Sequence, residues 1–354
     1  MHCSPRPRTD TAGRQRRKAL RAVLAVGIGL QFLLASGGPA AASISPAMVP
    51  ARTAIVHTVA SGRVYVTNQL DNTVSVIDAR TYKVVATVPV GTAPEGIAVT
   101  PDGRHAYIAE NGSAQVSVLD TQTNTIVETV PVGSSPTGVR LSPDGKTLYV
   151  ANGGSNTVSV LDTATNQVTA SVPVGISPVS VAVSRDGAAA YVANTGSGNV
   201  SVIDTKTRKV VRDLPAGASP VAVAVTPDGG SVYVANETTA SVSIVEARTG
   251  KATATVPVGE GPFDVAVGPD GRSAYVAVLG PGNVPVIATA GHRVSATVNV
   301  GPFGTDPFNV MVTSGAVYVT NQGAGTLTVI DPKTLKIVAT VTLGNSPYGV
   351  AVSP

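Results

Sequence analysis

The chain has 354 residues, of which 43% are hydrophobic and 13% charged, with 37 glycines and 26 prolines. Recurring valine and isoleucine exclude a disordered chain, and the glycine and proline content favours many short strands joined by tight turns. Residues 1–42 hold seven of the 25 Lys and Arg and one of the 21 Asp and Glu, which leaves 18 against 20 and gives no support to nucleic-acid binding.

Residues 1–42 have the pattern of a cleavable secretory signal. A basic stretch that ends at Arg21 precedes an apolar run from Ala22 to Ala35, and small residues lead to Ala42. An uncleaved anchor is the alternative, but about 14 apolar residues are short of the roughly 20 that a membrane span needs. The pair Arg16-Arg17 leaves twin-arginine export open. We therefore expect a secreted protein with no stable membrane span after cleavage.

Beyond the signal, we expect a short linker over residues 43–53 and a single domain over residues 54–354. The only cysteine, Cys3, lies within the signal, so the mature chain offers no disulfide and no thiol for catalysis or metal binding.

The domain consists of seven repeats of about 42 residues, which align in three columns. The first column is Tyr65, Tyr107, Tyr149, Tyr191, Tyr233, Tyr275 and Tyr318. The second column is Asp78, Asp120, Asp162, Asp204, Glu246, Ala288 and Asp331. The third column is Gly91, Gly133, Gly175, Gly217, Gly259, Gly301 and Gly344. Such a period indicates a repeat architecture.

Each repeat divides into four strand-like segments bounded by turn residues. In the second repeat these are residues 96–100, 105–109, 115–120 and 126–132. Pro101-Asp102-Gly103 has the composition of a tight turn between the first two segments. Four strands repeated seven times predict an all-β fold, a seven-bladed β-propeller with four antiparallel strands per blade.

The repeat also resembles a known family. Tyr65-Val66-Thr67-Asn68 and Tyr318-Val319-Thr320-Asn321 match the YVTN repeat, and Val74–Asp78 and Val88–Gly91 match the rest of it. The resemblance covers residues from about 52 to 354 and implies an exported seven-bladed propeller of WD40-like or amine-dehydrogenase-like shape. Activities in this family vary, so the resemblance concerns the fold more than the function.

Closure of the ring depends on the last segment. Residues 346–352 form an eighth copy of the first strand, whereas the N-terminal candidate, Ala54–Thr58, fits that pattern less well. We predict that the C-terminal strand completes the blade that begins at Arg63.

Departures from the repeat indicate where a ligand would bind. The loops before each inner strand and after each Tyr-Val-x-Asn strand are expected to share the face around the channel. The position after the loop proline holds aromatic residues in three consecutive blades, next to an acid: Phe263, Phe308, Tyr348 and Glu95. Phe303, Asp264 and Asp306 lie in or beside the same loops. These side chains suit a small ligand or a protein partner, and packing of the aromatic rings at the channel mouth is the alternative.

Two further charges break the repeat. Arg140 replaces alanine in the inner strand, where it is paired, hydrated or bound to an anion. Glu110 replaces the repeat asparagine, and we expect it to pair with Arg140 of the neighbouring blade. The remaining acidic column is interpreted as structural, with its side chains accepting hydrogen bonds from turn amides.

No catalytic triad, metal-ligand spacing or phosphate loop is present in the sequence, so we assign no catalytic residue, no metal and no cofactor. The leading hypothesis is a monomeric, non-enzymatic binding or scaffold protein. A propeller enzyme of lactonase or lyase type, using Glu95, Glu110, Asp264 or Asp306, is the first alternative. Single-stranded nucleic-acid binding is the second alternative, and the charge balance makes nucleic acid an unlikely partner.

Overall fold

The computed structural model describes residues 62–354. The expected signal, the linker and the strand candidate Ala54–Thr58 lie outside these described residues. Within them, 28 strands form seven four-stranded antiparallel sheets, and no helix is present. The predicted all-β, seven-bladed propeller is confirmed.

The first four blades are numbered along the chain. Blade 1 begins with β1 (Arg63–Asn68), β2 (Thr73–Asp78) and β3 (Lys83–Pro89). Blade 2 contains β4 (Pro94–Val99), β5 (His105–Glu110), β6 (Gln115–Asp120) and β7 (Thr125–Pro131). Blade 3 contains β8 (Pro136–Leu141), β9 (Thr147–Asn152), β10 (Thr157–Asp162) and β11 (Gln167–Pro173). Blade 4 contains β12 (Pro178–Val183), β13 (Ala189–Asn194), β14 (Asn199–Asp204) and β15 (Lys209–Pro215).

The remaining blades follow the same plan. Blade 5 contains β16 (Pro220–Val225), β17 (Ser231–Asn236), β18 (Ser241–Glu246) and β19 (Ala252–Pro257). Blade 6 contains β20 (Pro262–Val267), β21 (Ser273–Val278), β22 (Asn283–Ala288) and β23 (Arg293–Asn299). Blade 7 contains β24 (Pro307–Val312), β25 (Val317–Asn321), β26 (Thr326–Ile330) and β27 (Ile337–Thr342). The last strand, β28 (Pro347–Val352), belongs to blade 1.

The ring is closed by the C-terminal strand, as predicted. The first sheet has the order β28-β1-β2-β3, and the register places Val64 opposite Val352 and Val66 opposite Val350. The seven inner strands β4, β8, β12, β16, β20, β24 and β28 each pack beside the next one around the central channel.

The hydrophobic core lies between neighbouring blades. Tyr65 of blade 1 packs in one buried cluster with Ile97 and Ile108 of blade 2. The hydroxyl groups of the tyrosine column also link blades: that of Tyr107 donates to Asn166 Oδ1 over 2.9 Å in the next blade. The residues at these interfaces are mostly apolar, because each blade can bury its faces only against its neighbours.

The glycine column is explained by close packing beneath the loops. A Cβ atom on Gly133 would lie 2.7 Å from the Asn152 side chain, so any larger residue would displace it. Asn152 Nδ2 in turn donates to Ser159 Oγ over 2.9 Å, which ties two strands of one blade. The glycine and asparagine columns therefore form one structural unit.

The acidic column caps turns on the opposite face. Asp78 Oδ1 accepts hydrogen bonds from the backbone amides of Arg80 and Thr81 over 3.1 and 2.8 Å. Asp120 makes the same contacts with Gln122 and Thr123. The structural interpretation of this column is confirmed. Over residues 62–354, no helix is long and apolar enough to cross a membrane.

Candidate functional site

Two sets of loops form the face around the channel mouth. They comprise the residues between the fourth strand of one blade and the inner strand of the next, and those between the second and third strands of each blade. The two sets are hydrogen bonded to each other: the amide of Asn111 donates to Ala93 O over 3.0 Å, and that of Gly112 donates to Thr92 O over 3.1 Å. We call them the mouth-face loops.

Three aromatic side chains stack at the mouth on three adjacent inner strands. The ring centroids of Phe263 and Phe308 are 4.0 Å apart, and those of Phe308 and Tyr348 are 4.4 Å apart. Phe308, in the middle, is only 6% exposed, whereas Phe263 and Tyr348 are partly exposed. We call these residues the aromatic cluster. The cluster presents ring surface to the lumen at both of its ends.

Glu95 lies at the Tyr348 end of the aromatic cluster and is 7% exposed. Its Oε1 accepts a hydrogen bond from Gln69 Nε2 over 3.0 Å, while its buried Oε2 has no hydrogen-bond partner that meets the usual geometric limits. Burial raises the pKa of Glu95 to about 7, although hydrogen bonding with Tyr348 and Gln69 opposes the shift. This carboxyl group is therefore in a position to gain from a further donor.

Asp264 lies on the other side of the cluster, beside Phe263. Its Oδ2 accepts hydrogen bonds from Asn309 Nδ2 and from the amide of Val310, each over 2.8 Å. Desolvation raises the pKa of Asp264 to about 7. Burial also raises the pKa of Tyr348, and the charges of Glu95 and Asp264 raise it further.

Arg140 projects into the channel from blade 3, opposite blade 6. The side chain is accessible to channel water, yet the channel wall encloses it, so that desolvation lowers its pKa. The charge of Asp264 acts against this shift, and both side chains line the channel cavity. An arginine stays protonated in such a setting.

The channel itself contains a cavity of about 240 Å³. The side chains that decide its chemistry are Arg140, Phe263, Asp264, Phe308, Met311 and Tyr348. The volume is below the roughly 300 Å³ at which pockets for drug-sized ligands begin. It suits one small group rather than a large planar molecule.

Three of the predicted site residues lie elsewhere. Glu110 is fully buried, and its carboxylate accepts hydrogen bonds from the amide of Gly91 over 2.7 Å, from Gln115 Nε2 over 2.6 Å and from the hydroxyl of Ser117. The predicted pairing of Glu110 with Arg140 is therefore not formed, because both carboxylate oxygens of Glu110 are used within its own loop.

Phe303 and Asp306 belong to the long loop between β23 and β24. Phe303 is 85% exposed beside Gly280, outside the aromatic cluster. Asp306 Oδ1 accepts a hydrogen bond from the amide of Gly280 over 2.9 Å. Its φ of 52° matches the left-handed conformation that precedes the loop proline in each blade, which aspartate tolerates. Asp306 therefore acts as a cap for this loop.

Sequence reasoning missed the polar residues that hold the two carboxylates. Gln69 binds Glu95, and Ser346 Oγ connects Gln69 with Gln322 over 3.4 and 2.9 Å. The sequence did offer a clue to the two glutamines, since Gln69 and Gln322 both follow the repeat asparagine. They lie in the first and last blades, which become neighbours when the ring closes. Asn309 had no such signal.

The mouth-face loops of the described chain contain no lysine, arginine or histidine. Their charged residues are Asp71, Glu237, Glu260 and Asp306. Asp71 and Asp306 cap loops, the former through the amide of Asn345 over 2.7 Å. The cations of the described residues, apart from Arg140, lie on the outer strands or towards the opposite face.

Within residues 62–354, no group of three or more His, Cys, Asp or Glu side chains is arranged to hold a metal ion. His105 begins β5, and His292 lies in the turn before β23, so that both are on the face opposite the mouth. A second cavity of about 550 Å³ lies on that opposite face, next to Tyr233 and His292. The aspartates that line it, Asp228 and Asp270, accept hydrogen bonds within their own turns.

Comparison with family models supports the repeat assignment. The YNCE-like beta-propeller model matches residues 31–152. This match and the seven blades of the structure support a YVTN-type seven-bladed propeller repeat protein. The Cytochrome D1 heme domain model matches residues 108–238 of the propeller.

Solved structures and a curated relative extend the comparison. The propeller is similar to Kuenenia stuttgartiensis hydrazine synthase, with 25% identity, a TM-score of 0.66, and coverage of 72% of this chain and 88% of that one. A functionally unknown protein from Desulfotomaculum acetoxidans DSM 771 has 17% identity and a TM-score of 0.69, over 83% and 99% of the two chains. Dihydro-heme d1 dehydrogenase NirN, in complex with DHE, has 15% identity and a TM-score of 0.62, over 82% and 75%. The last two likenesses concern the fold alone.

The curated relative is the PE-PGRS family protein PE_PGRS18 of Mycobacterium tuberculosis (strain ATCC 25618 / H37Rv). It is 54% identical over 50 residues, which are 14% of this chain and 11% of that protein. The similarity therefore spans about one repeat of the propeller.

Proposed function

We propose that the propeller binds a small organic ligand at the channel mouth without carrying out covalent chemistry on it. The observation that carries this proposal is the contiguous stack of Phe263, Phe308 and Tyr348 on three adjacent inner strands, with its two ends open to the lumen. Aromatic faces contribute large contact area at low entropic cost, and convergent polar groups orient a ligand. Glu95 and Asp264 flank the stack and supply those polar groups.

A heme is the second candidate, because of the similarity to the Cytochrome D1 heme domain model. The residues at the channel do not fit it. Heme iron is held in proteins by His, Cys, Met or Tyr, and the histidines of the described chain lie on the opposite face. Met311 and Tyr348 line the channel, but a cavity of about 240 Å³ leaves no room for a macrocycle between them.

The two alternatives from the sequence receive less support. A lactonase- or lyase-type site built on four carboxylates loses Glu110 and Asp306, which cap loops. Single-stranded nucleic-acid binding needs a basic groove beside stacking aromatics, and the mouth-face loops contain no basic residue.

The test of the proposal is ligand-observed NMR on the mature protein with benzyl alcohol, indole and hemin. Binding of a small aromatic compound is expected, and Tyr348→Ala should abolish it because the open end of the stack beside Glu95 is removed. Phe303→Ala is the matched control, since it removes a phenylalanine from a mouth-face loop outside the cluster. Equal loss in both variants, or binding of hemin alone, would overturn the proposal.

We also propose an extracytoplasmic location, from the signal-like pattern of residues 1–42. Expression of the full-length chain with a C-terminal tag tests it. A processed chain that begins near Ser43 and leaves the cytoplasm supports this location, whereas an unprocessed cytoplasmic chain contradicts it.

A further inference from the structure

We propose that the ligand is a small organic ammonium ion, with its positive group against Glu95 and its hydrocarbon part on the rings of Phe308 and Tyr348. This inference rests on the proposed function and names the chemical class that the same site would take.

The electrostatics of the mouth face favour a cation. Its loops hold four acidic residues and no basic residue in the part of the chain that the structure describes. Glu237 and Glu260 are exposed there and remain free to act on an approaching ion. Clefts lined by one sign of charge concentrate ligands of the opposite sign. An anion would meet like charges before it reached the lumen.

Glu95 supplies an incomplete polar contact at the end of that approach. The side chain is 7% exposed, its Oε1 is bound by Gln69, and its buried Oε2 has no hydrogen bond within the usual geometric limits, although the Tyr348 hydroxyl interacts with the carboxyl group. A buried acceptor that lacks a donor is costly, and the cost is larger for a charged group. An ammonium N–H would provide both the missing donor and the opposite charge.

The aromatic cluster complements the same ion. Tyr348 is close enough to Glu95 for the carboxylate charge to raise its pKa, and its ring stacks on Phe308. Cations are attracted to the faces of aromatic rings, particularly where water is partly excluded. A cation at Glu95 would therefore also lie against ring surface.

Asp264 lines the channel cavity together with Arg140, and the charge of each acts on the pKa of the other. The pKa of Glu95 depends instead on burial, Tyr348 and Gln69. Asp264 is further occupied by Asn309 and Val310. The ammonium group is thus assigned to the Glu95 side of the cluster and kept away from the depth of the channel.

Three compounds that share one ring test the charge alone: benzylammonium, benzyl alcohol and benzoate. Titration calorimetry at pH 8 should give benzylammonium about tenfold tighter binding than benzyl alcohol, and no binding of benzoate. Glu95→Gln should remove the preference for the cation while retaining the affinity for the alcohol. Glu128→Gln, which changes an exposed acid on the outer strand β7, should retain the preference.

The unaltered protein provides a second readout that does not depend on a variant folding correctly. Benzylammonium remains protonated between pH 6 and pH 8, whereas Glu95 ionises near pH 7. Its affinity should therefore rise over this range, and binding at pH 7 should release a proton to the buffer.

The outcomes separate this inference from the proposed function. Equal affinities for benzylammonium and benzyl alcohol would overturn the ammonium assignment and leave ligand binding at the mouth intact. Failure of all three compounds to bind would overturn both. A cation preference that survives Glu95→Gln would place the charge contact elsewhere and reject the role given to Glu95.

Discussion

The protonation of Glu95 affects both the candidate site and the stability of the fold. Its pKa of about 7 in the folded protein exceeds the ordinary value of 4.5. The contribution of protonated Glu95 to the free energy of unfolding is fully present below the pKa that this carboxyl has in the unfolded chain. It is lost as the pH rises through the folded pKa, because the unfolded chain then holds the ionised carboxylate more favourably.

Glu95→Gln should therefore be more stable than the unaltered protein at pH 8, by on the order of 2 kcal/mol, with a much smaller difference at pH 5. Urea unfolding at the two pH values measures this. Glu237→Gln is the control, since that carboxyl is exposed. The burial assigned to Glu95 is contradicted if the two variants behave alike.

Glu110 has a structural role that a second substitution tests. Glu110→Ala should cost about 2 kcal/mol of unfolding free energy, because the amide of Gly91 and the hydroxyl of Ser117 lose their acceptor. Glu110→Gln keeps an acceptor oxygen and should cost less. Chemical denaturation of both variants checks the order, and an alanine variant of undiminished stability would refute the role.

These residues also show what the sequence alone could supply at this scale. Glu95, Phe263 and Tyr348 were found because they depart from a repeat whose other copies have aliphatic or polar residues there. The same reasoning placed Glu110 in the site, since a departure from the repeat does not reveal which way a side chain points. Its carboxylate accepts a hydrogen bond from the amide of Gly91, as the repeat asparagine Asn236 does from the amide of Gly217 in blade 5.

At the scale of the strands, the sequence located every element but placed some ends inaccurately. The inner strand of blade 2 was predicted over residues 96–100, whereas β4 is Pro94–Val99. Pro94 and Glu95 were assigned to the preceding loop. An inner strand has no partner on its channel side, so a proline at its first position costs no ladder hydrogen bond.

The aromatic cluster connects three strands, and its middle residue should contribute most to stability. Phe308→Ala should lower the unfolding free energy by about 3 kcal/mol, since Phe308 is buried and touches both other rings. Phe303→Ala should change it by less than about 0.5 kcal/mol, because that ring is exposed. Denaturant titrations of the two variants test the contrast, and similar losses would contradict the packing described.

For the whole molecule, closure determines whether the blades act as one body. Removal of residues 347–354 takes away β28, exposes the edge of β1 and leaves Thr67 without the carbonyl and amide of Gly349. We expect the unfolding temperature to fall by roughly 10 °C or more, since several kcal/mol are lost. Removal of Pro354 alone, which is exposed, is the control. Calorimetric scans that show equal transitions for both would reject closure by this strand.

The architecture could be predicted because it is set by the seven-fold repetition of local patterns, and each pattern is readable in sequence. The closing strand was readable for the same reason. The sequence could not show how the side chains of different blades meet in the lumen. Arg140 was therefore expected to pair with Glu110, whereas it lines the channel cavity together with Asp264.

The seam of the ring has a consequence for biosynthesis. Gln69, Glu95 and Tyr348 meet there, although the first two leave the ribosome some 250 residues before the third. A nascent polypeptide therefore has no recognition pocket until its final strand docks against its first. A ligand bound across this junction would slow unfolding that begins with the separation of β28 from β1, the strands that close the ring without a connecting loop.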